Sequence, residues 1–214
     1  STHRLIAQDS VPNATSSIQI SIAKREVCVE GTFNITKGIL EFIAASNKTP
    51  RDYESLFLLD AKPSQIQNAL IEIGVQPCYE QKMDCSSLDI TVSWTADKTQ
   101  FTRNIIDFIE LNQSDKKIKD LQWLFNGKKP NKELKETVIP EDKNGETVSL
   151  QPEIAGIIHP NIDFGNPYDE NKQKGFRINE KLFKELIANG QLPKDDKIKQ
   201  TKLILTFKPK ELKK

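Results

Sequence analysis

Few residues in this chain have the type and setting to do chemistry. Glu54, in Tyr53-Glu54-Ser55, is one of them. A glutamate serves as an acid or base only where burial or a charged neighbour tunes it. With Tyr53 and Ser55 beside it, it would line a ligand site. Its plainer role is to accept hydrogen bonds from a nearby helix start or from backbone amides. His159 is the second, in Ile158-His159-Pro160-Asn161-Ile162-Asp163. Asp163, Asp169 and Glu170 follow it, and oxygen ligands so close in sequence suit a hard cation. Their spacing matches no calcium loop, and Asp and Asn beside Pro and Gly ordinarily cap turns. No metal and no cofactor is therefore expected. The chain has no Gly-x-Ser-x-Gly, no phosphate-binding loop and no dinucleotide fingerprint. Asp163-Phe164-Gly165 spells a kinase tripeptide without the glycine-rich loop that would give it meaning.

Cysteine chemistry is better defined. Cys78 and Cys85 bracket a polar loop between an expected helix and an expected strand. Pro77 prevents the helix from continuing, so the chain must turn back. Six intervening residues allow the Cα separation of roughly 4.4–6.8 Å that a disulfide needs. Two unpaired thiols are the alternative, and the disulfide is favoured. A bridge points to an oxidising compartment. Cys28 falls in a strand pattern and is expected to be a free, buried thiol. Three cysteines complete neither a four-thiolate zinc site nor an iron–sulfur cluster.

The elements that must position these groups follow from periodicity. The chain has 214 residues, 36% apolar and 29% charged, a globular balance. Ile18, Ile20 and Ile22 alternate with polar neighbours, and Val27 and Val29 resume after a Lys24-Arg25 turn. Short strands are expected over 39–43 and 53–59. Pro63 opens a helix in which Ile66, Ala69, Leu70 and Ile73 share a face. Leu88, Ile90, Val92 and Trp94 alternate, and residues 101–109 pair back. Leu121, Trp123 and Phe125 give a further strand. Asn179 caps a second helix with Leu182, Phe183, Leu186 and Ile187 on one side. Leu203, Leu205 and Phe207 form the last strand. The expected fold class is α+β, a mostly antiparallel β-sheet with two main helices. Trp94, Trp123, Phe101 and Phe125, on alternating positions, read as core rather than as a stacking platform.

Residues 1–17 read as a flexible N-terminal tether, 18–208 as one α+β domain, and 209–214 as a basic tail. Within the domain, the Lys-, Glu- and Asn-rich segment 128–152 reads as an exposed excursion that buries little. A leader such as 1–17 is as compatible with a removed export signal or a lipid-anchoring cysteine upstream of Ser1 as with a plain flexible end. No run of 18 apolar residues occurs, so no transmembrane segment is expected. Net charge is +1, and the lysine-rich end lacks interleaved arginine and aromatic residues, so no nucleic-acid partner is expected.

The stretch from Tyr53 through Glu54-Ser55, Asp60-Ala61-Lys62-Pro63-Ser64 and Leu70 to Gly74-Val75-Gln76-Pro77 resembles the YdjY domain family. That family shows an extended Glu-Ser segment, Asp-x-x-Pro-Ser opening a helix, and Gly-x-x-Pro ending it. The Trp94 hairpin, Trp123-x-Phe125 and the terminal strand fall in the family's order. The resemblance implies a bacterial, exported protein with no activity that transfers residue by residue. Where the family often has a histidine before Glu-Ser, this chain has Tyr53.

Two function classes follow. The favoured one is an exported, periplasmic or envelope-associated module that binds an unknown protein or small ligand without catalysis. The other is a hydrolase or lyase with a carboxylate site near Glu54 and Asp163.

Overall fold

The computed structural model describes residues 17–79, 85–112, 118–130, 138–151, 156–162 and 175–210. Its strands are β1 (Ile18–Ser21), β2 (Glu26–Phe33), β3 (Phe42–Ser46), β4 (Ser55–Leu59), β5 (Ser87–Ala96), β6 (Thr99–Asn104), β7 (Ile109–Asn112), β8 (Trp123–Phe125), β9 (Glu146–Ser149), β10 (Ile158–Pro160), β11 (Gly175–Ile178) and β12 (Lys202–Pro209). Two α-helices are described, α1 (Pro63–Glu72) and α2 (Glu180–Ala188).

The expectation of a mostly antiparallel sheet in an α+β fold is corrected by the pairing. Strands run β2-β12-β5-β8-β10-β9-β3-β4, and β4 returns to β2, closing an eight-stranded barrel. Two barrel pairs, β3–β4 and β9–β10, are parallel. Closure was not visible in the sequence because periodicity reports which face a residue takes, not which strand lies beside it. The closing pair depends on one glycine. Gly31 faces Leu203 of β12 on one side and Leu59 of β4 on the other. A Cβ at Gly31 would stand 2.4 Å from the Leu58 carbonyl oxygen, so a larger residue forces β2 and β4 apart.

Long strands project past the closed ring. β5 pairs with β8 only at Ser87 and Leu88, then with β6 from Thr91 to Ala96. Likewise β2 pairs with β1 along its first half and with β4 at its end. Inward positions on β2, β5 and β12 alternate as the sequence indicates: Val27, Val29 and Phe33; Leu88, Ile90, Val92 and Trp94; Leu203, Leu205 and Phe207 are all buried. The aromatic residues meet at one end. Phe33 lies 5.4 Å from Phe57, 5.6 Å from Trp94 and 6.3 Å from Phe183 between ring centres. Phe183 belongs to α2, whose apolar face covers that end; Asn179 Oδ1 caps the helix by accepting from Leu182 N at 3.1 Å.

Segment 128–152 is not an exposed excursion in its described part. Residues 146–149 form β9, fully inside the barrel wall, and Ile139, Val148 and Leu150 are buried. Asp142 reaches back to cap α1: its Oδ1 accepts from Ser64 N at 2.8 Å. High charge misled here because the acids of this stretch are themselves buried, Glu141 at 5% and Glu146 at 2% exposure.

Smaller differences have local causes. The strand expected over 39–43 begins at Phe42, and the one expected from Tyr53 begins at Ser55 after a tight turn over Asp52–Glu54. The partner of β5 breaks at Ile105, where Asn104 Oδ1 accepts from Ile106 N and starts another tight turn. Cys28 is a free thiol, but half-buried rather than core, with Sγ 3.5 Å from Thr206 Oγ1 on the outer face. Among the described residues, no helix is long and apolar enough to cross a membrane.

Candidate functional site

The residues singled out in the sequence go to two separate places. Tyr53 is 67% exposed. Glu54 is 3% exposed, and Ser55, fully buried, donates its hydroxyl to the Arg51 carbonyl oxygen at 2.8 Å. Asp163 lies outside the described residues. His159 sits on β10, two strands away from β3, and is 2% exposed.

Arg51 is the partner that sequence reasoning missed. Its Nε donates to Glu54 Oε1 at 2.5 Å and its Nη2 to Glu41 Oε2 at 3.0 Å, while Nη1 stands 3.5 Å from Glu146 Oε1. The guanidinium also lies over the Phe42 ring, 5.1 Å from its centre. Burial first, then the Glu54 charge, pushes the Glu41 carboxyl above its ordinary range, with Arg51 pulling the other way. Glu146 is likewise raised by burial, against the pull of Arg51. The Arg51–Glu54 spacing of three residues was a usable signal for a pair. Nothing in the sequence announces Glu146, nearly a hundred positions away.

His159 has both ring nitrogens on backbone carbonyls, Nδ1 3.1 Å from Gln151 O and Nε2 2.8 Å from Gly156 O. Burial lowers its proton affinity, and the two carbonyls oppose that. Both nitrogens are therefore turned inward onto backbone, which is a structural use of histidine. No group of three or more His, Cys, Asp or Glu side chains able to hold a metal occurs among the described residues.

A cleft of about 900 Å³ opens at the α2 end of the barrel. One wall is the β5–β6 hairpin from Ser93 to Asp97 with Gln100; the other is the loop from Gly190 to Lys194 after α2. β12 and the residues before it, Gln200 to Ile204, line the rest, with Glu30 of β2. The Trp94 indole N–H donates to Gln191 O at 2.7 Å, fixing the loop against the strand. Trp94 is stacked on Phe101 at 5.7 Å and 2% exposed, so it supports the cleft without offering a face. What the cleft offers is an aliphatic patch of Ile187, Pro193 and Ile204, backed by buried Leu192 and edged by hydroxyls, glutamine amides, Glu30, Asp97, Lys194 and Lys202. Ile204 is 37% exposed, its strand neighbours being Glu30 and Ser93. A volume within the range of ligand pockets, with polar groups around an apolar patch, is the form of a binding seat.

Cys78 and Cys85 form the disulfide, with Cα atoms 4.7 Å apart. Backbone bonds from Cys78 N to Phe125 O and Tyr79 N to Asn126 O fasten the bridge to the end of β8.

A family model of the YdjY domain matches residues 18–185, most of the chain. No curated protein and no solved structure matches.

Proposed function

We propose that this chain, which belongs to the YdjY domain family, is an exported, non-catalytic binding module whose ligand seat is the cleft between the β5–β6 hairpin and the 190–194 loop. One observation carries the reading: the cleft combines about 900 Å³ of volume with an aliphatic floor and a balanced polar edge. The edge has two acids and two lysines, so it suits a neutral or zwitterionic ligand better than a polyanion.

The engaged state of the candidate groups supports a non-catalytic role. Glu54 is held by Arg51, and both ring nitrogens of His159 are covered by backbone carbonyl oxygens, to one of which the neutral ring donates. Neither presents a proton-transfer atom to solvent. Export to a periplasmic or envelope compartment is supported by the Cys78–Cys85 bridge, since such bonds persist in oxidising surroundings.

The test is a screen of neutral and zwitterionic fragments against the ¹⁵N-labelled protein. Binding should perturb the amides of 93–97, 187–194 and 200–204 together with the Trp94 indole. Fragments that bind elsewhere, or an absence of any binding, would remove the cleft as the seat.

A further inference from the structure

Three glutamates converge on one guanidinium, and we infer that Arg51, Glu41, Glu54 and Glu146 form a proton-operated latch on the barrel seam between β3 and β9. The inference does not depend on what the cleft binds.

Position comes first. Glu41 immediately precedes β3, Arg51 and Glu54 stand at the two ends of the turn that leads into β4, and Glu146 opens β9. The cluster thus bridges three adjacent strands of the wall. Between β3 and β9 the backbone register shifts twice, between Phe42 and Ala44 and again between Ala44 and Ala45. A bulged ladder has fewer regular backbone bonds, so side-chain bonds carry more of this seam.

Charge comes second. One guanidinium faces three carboxyl groups at 2.5, 3.0 and 3.5 Å. Glu54 acts on Glu41 as a like charge and, after burial, pushes its carboxyl up. Three carboxyl groups sharing one cation repel one another when all are ionised. The surroundings supply little more positive charge. The turn over Pro140–Asp142 brings Glu141 and Asp142, and Glu141 acts on Glu146 as a like charge. Lys128 is drawn to Glu141 Oε1 at 3.5 Å. Glu141 Oε2 and Asp142 Oδ2 are buried without a hydrogen-bond partner. Asp52 shares the turn with Glu54, and its carbonyl oxygen accepts from Asn34 Nδ2. Asn144 Nδ2 reaches Glu146 Oε1 at 3.5 Å.

The sign follows from the raised carboxyls. Glu41 and Glu146 bind their protons more tightly folded than unfolded. Their contribution is fully present below the ordinary glutamate value of 4.5 and is lost as pH rises through the higher folded value. Acid closes the latch, and deprotonation sets two or more carboxylates against each other across the seam.

Thermal melting of the whole chain from about pH 6 to about pH 8, where ordinary carboxyls are ionised, tests this on the difference between wild type and Glu41→Gln. His159 titrates with the opposite sign in both proteins and cancels. Glu41→Gln can still accept from Arg51 through its amide oxygen but cannot ionise, so the wild type should lose melting temperature relative to it as pH rises. Equal slopes for the two proteins would overturn the latch. Should Glu41→Gln not fold, the ¹³C carboxyl signals of wild-type Glu41 and Glu146 decide. Midpoints above the ordinary value support the latch, and midpoints at or below it refute it.

Discussion

Ser64 and Asp142, 78 residues apart, meet at the start of α1, where the Asp142 carboxylate accepts the Ser64 backbone N–H at 2.8 Å. The first turn of a helix leaves its N–H groups without partners, and here a distant segment supplies one. Asp142→Ala should cost about 1 kcal/mol of stability, as for the loss of an N-terminal cap. Chemical denaturation measures it. Replacing 138–151 with a Gly-Ser linker should abolish cooperative unfolding, since it removes β9 from the wall.

Gly31 carries the closure of the barrel. With a Cβ only 2.4 Å from Leu58 O, Gly31→Ala must push β2 from β4. We expect a loss of about 1–3 kcal/mol, the range for overpacking a filled interior. Gly31→Ala should also speed amide exchange at Asn34, whose N–H donates to Leu56 O across this seam. An unchanged unfolding midpoint would show that the pair can spread without cost.

The Cys78–Cys85 bridge closes a short loop. The chain-entropy model gives about 2–3 kcal/mol for a loop of this length. Cys85→Ser should lose that amount, and alkylation of the unfolded, non-reduced protein should label Cys28 alone. Three labelled thiols in protein taken from its native compartment would remove the bridge and the main support for export.

His159 makes a prediction of the opposite pH sign to the latch. Its proton affinity is lowered in the folded state, chiefly by burial. The stability it confers is present above the ordinary histidine value of 6.5 and is lost as pH falls through the lower folded value. A ¹⁵N titration of the His159 ring should give a midpoint below 6.5. A midpoint above it would mean that the two carbonyls outweigh burial and hold the ring as imidazolium.

Local patterns were legible in the sequence wherever one face of an element is buried. The alternations at Val27–Val29, Leu88–Trp94 and Leu203–Phe207, the faces of α1 and α2, and the cysteine pair all read directly. Closure was not, because it depends on Gly31 approaching Leu58, a contact with no period. β9 was hidden by the charged residues around it, whose burial becomes intelligible only beside Arg51 and Lys128. Of the site residues, Glu54 was visible as a chemical group, yet its use is set by Arg51 across its own turn and by Glu41 and Glu146 beside the neighbouring strands. The cleft was invisible for the same reason. Its walls come from β5, β12, β2 and the loop after α2, and only the barrel brings them together.

The most direct test of the ligand seat uses Ile204, exposed in the cleft, against Ile22, 65% exposed and outside the cleft lining. Ile204→Lys and Ile22→Lys each add one charge at a solvent-facing position, so both should fold as the wild type does. Fragments that perturb the cleft amides should bind Ile204→Lys about tenfold or more weakly, a loss of about 1.4 kcal/mol. Their affinity for Ile22→Lys should be unchanged. Equal affinity for wild type and Ile204→Lys would contradict the assignment of the cleft as the binding site.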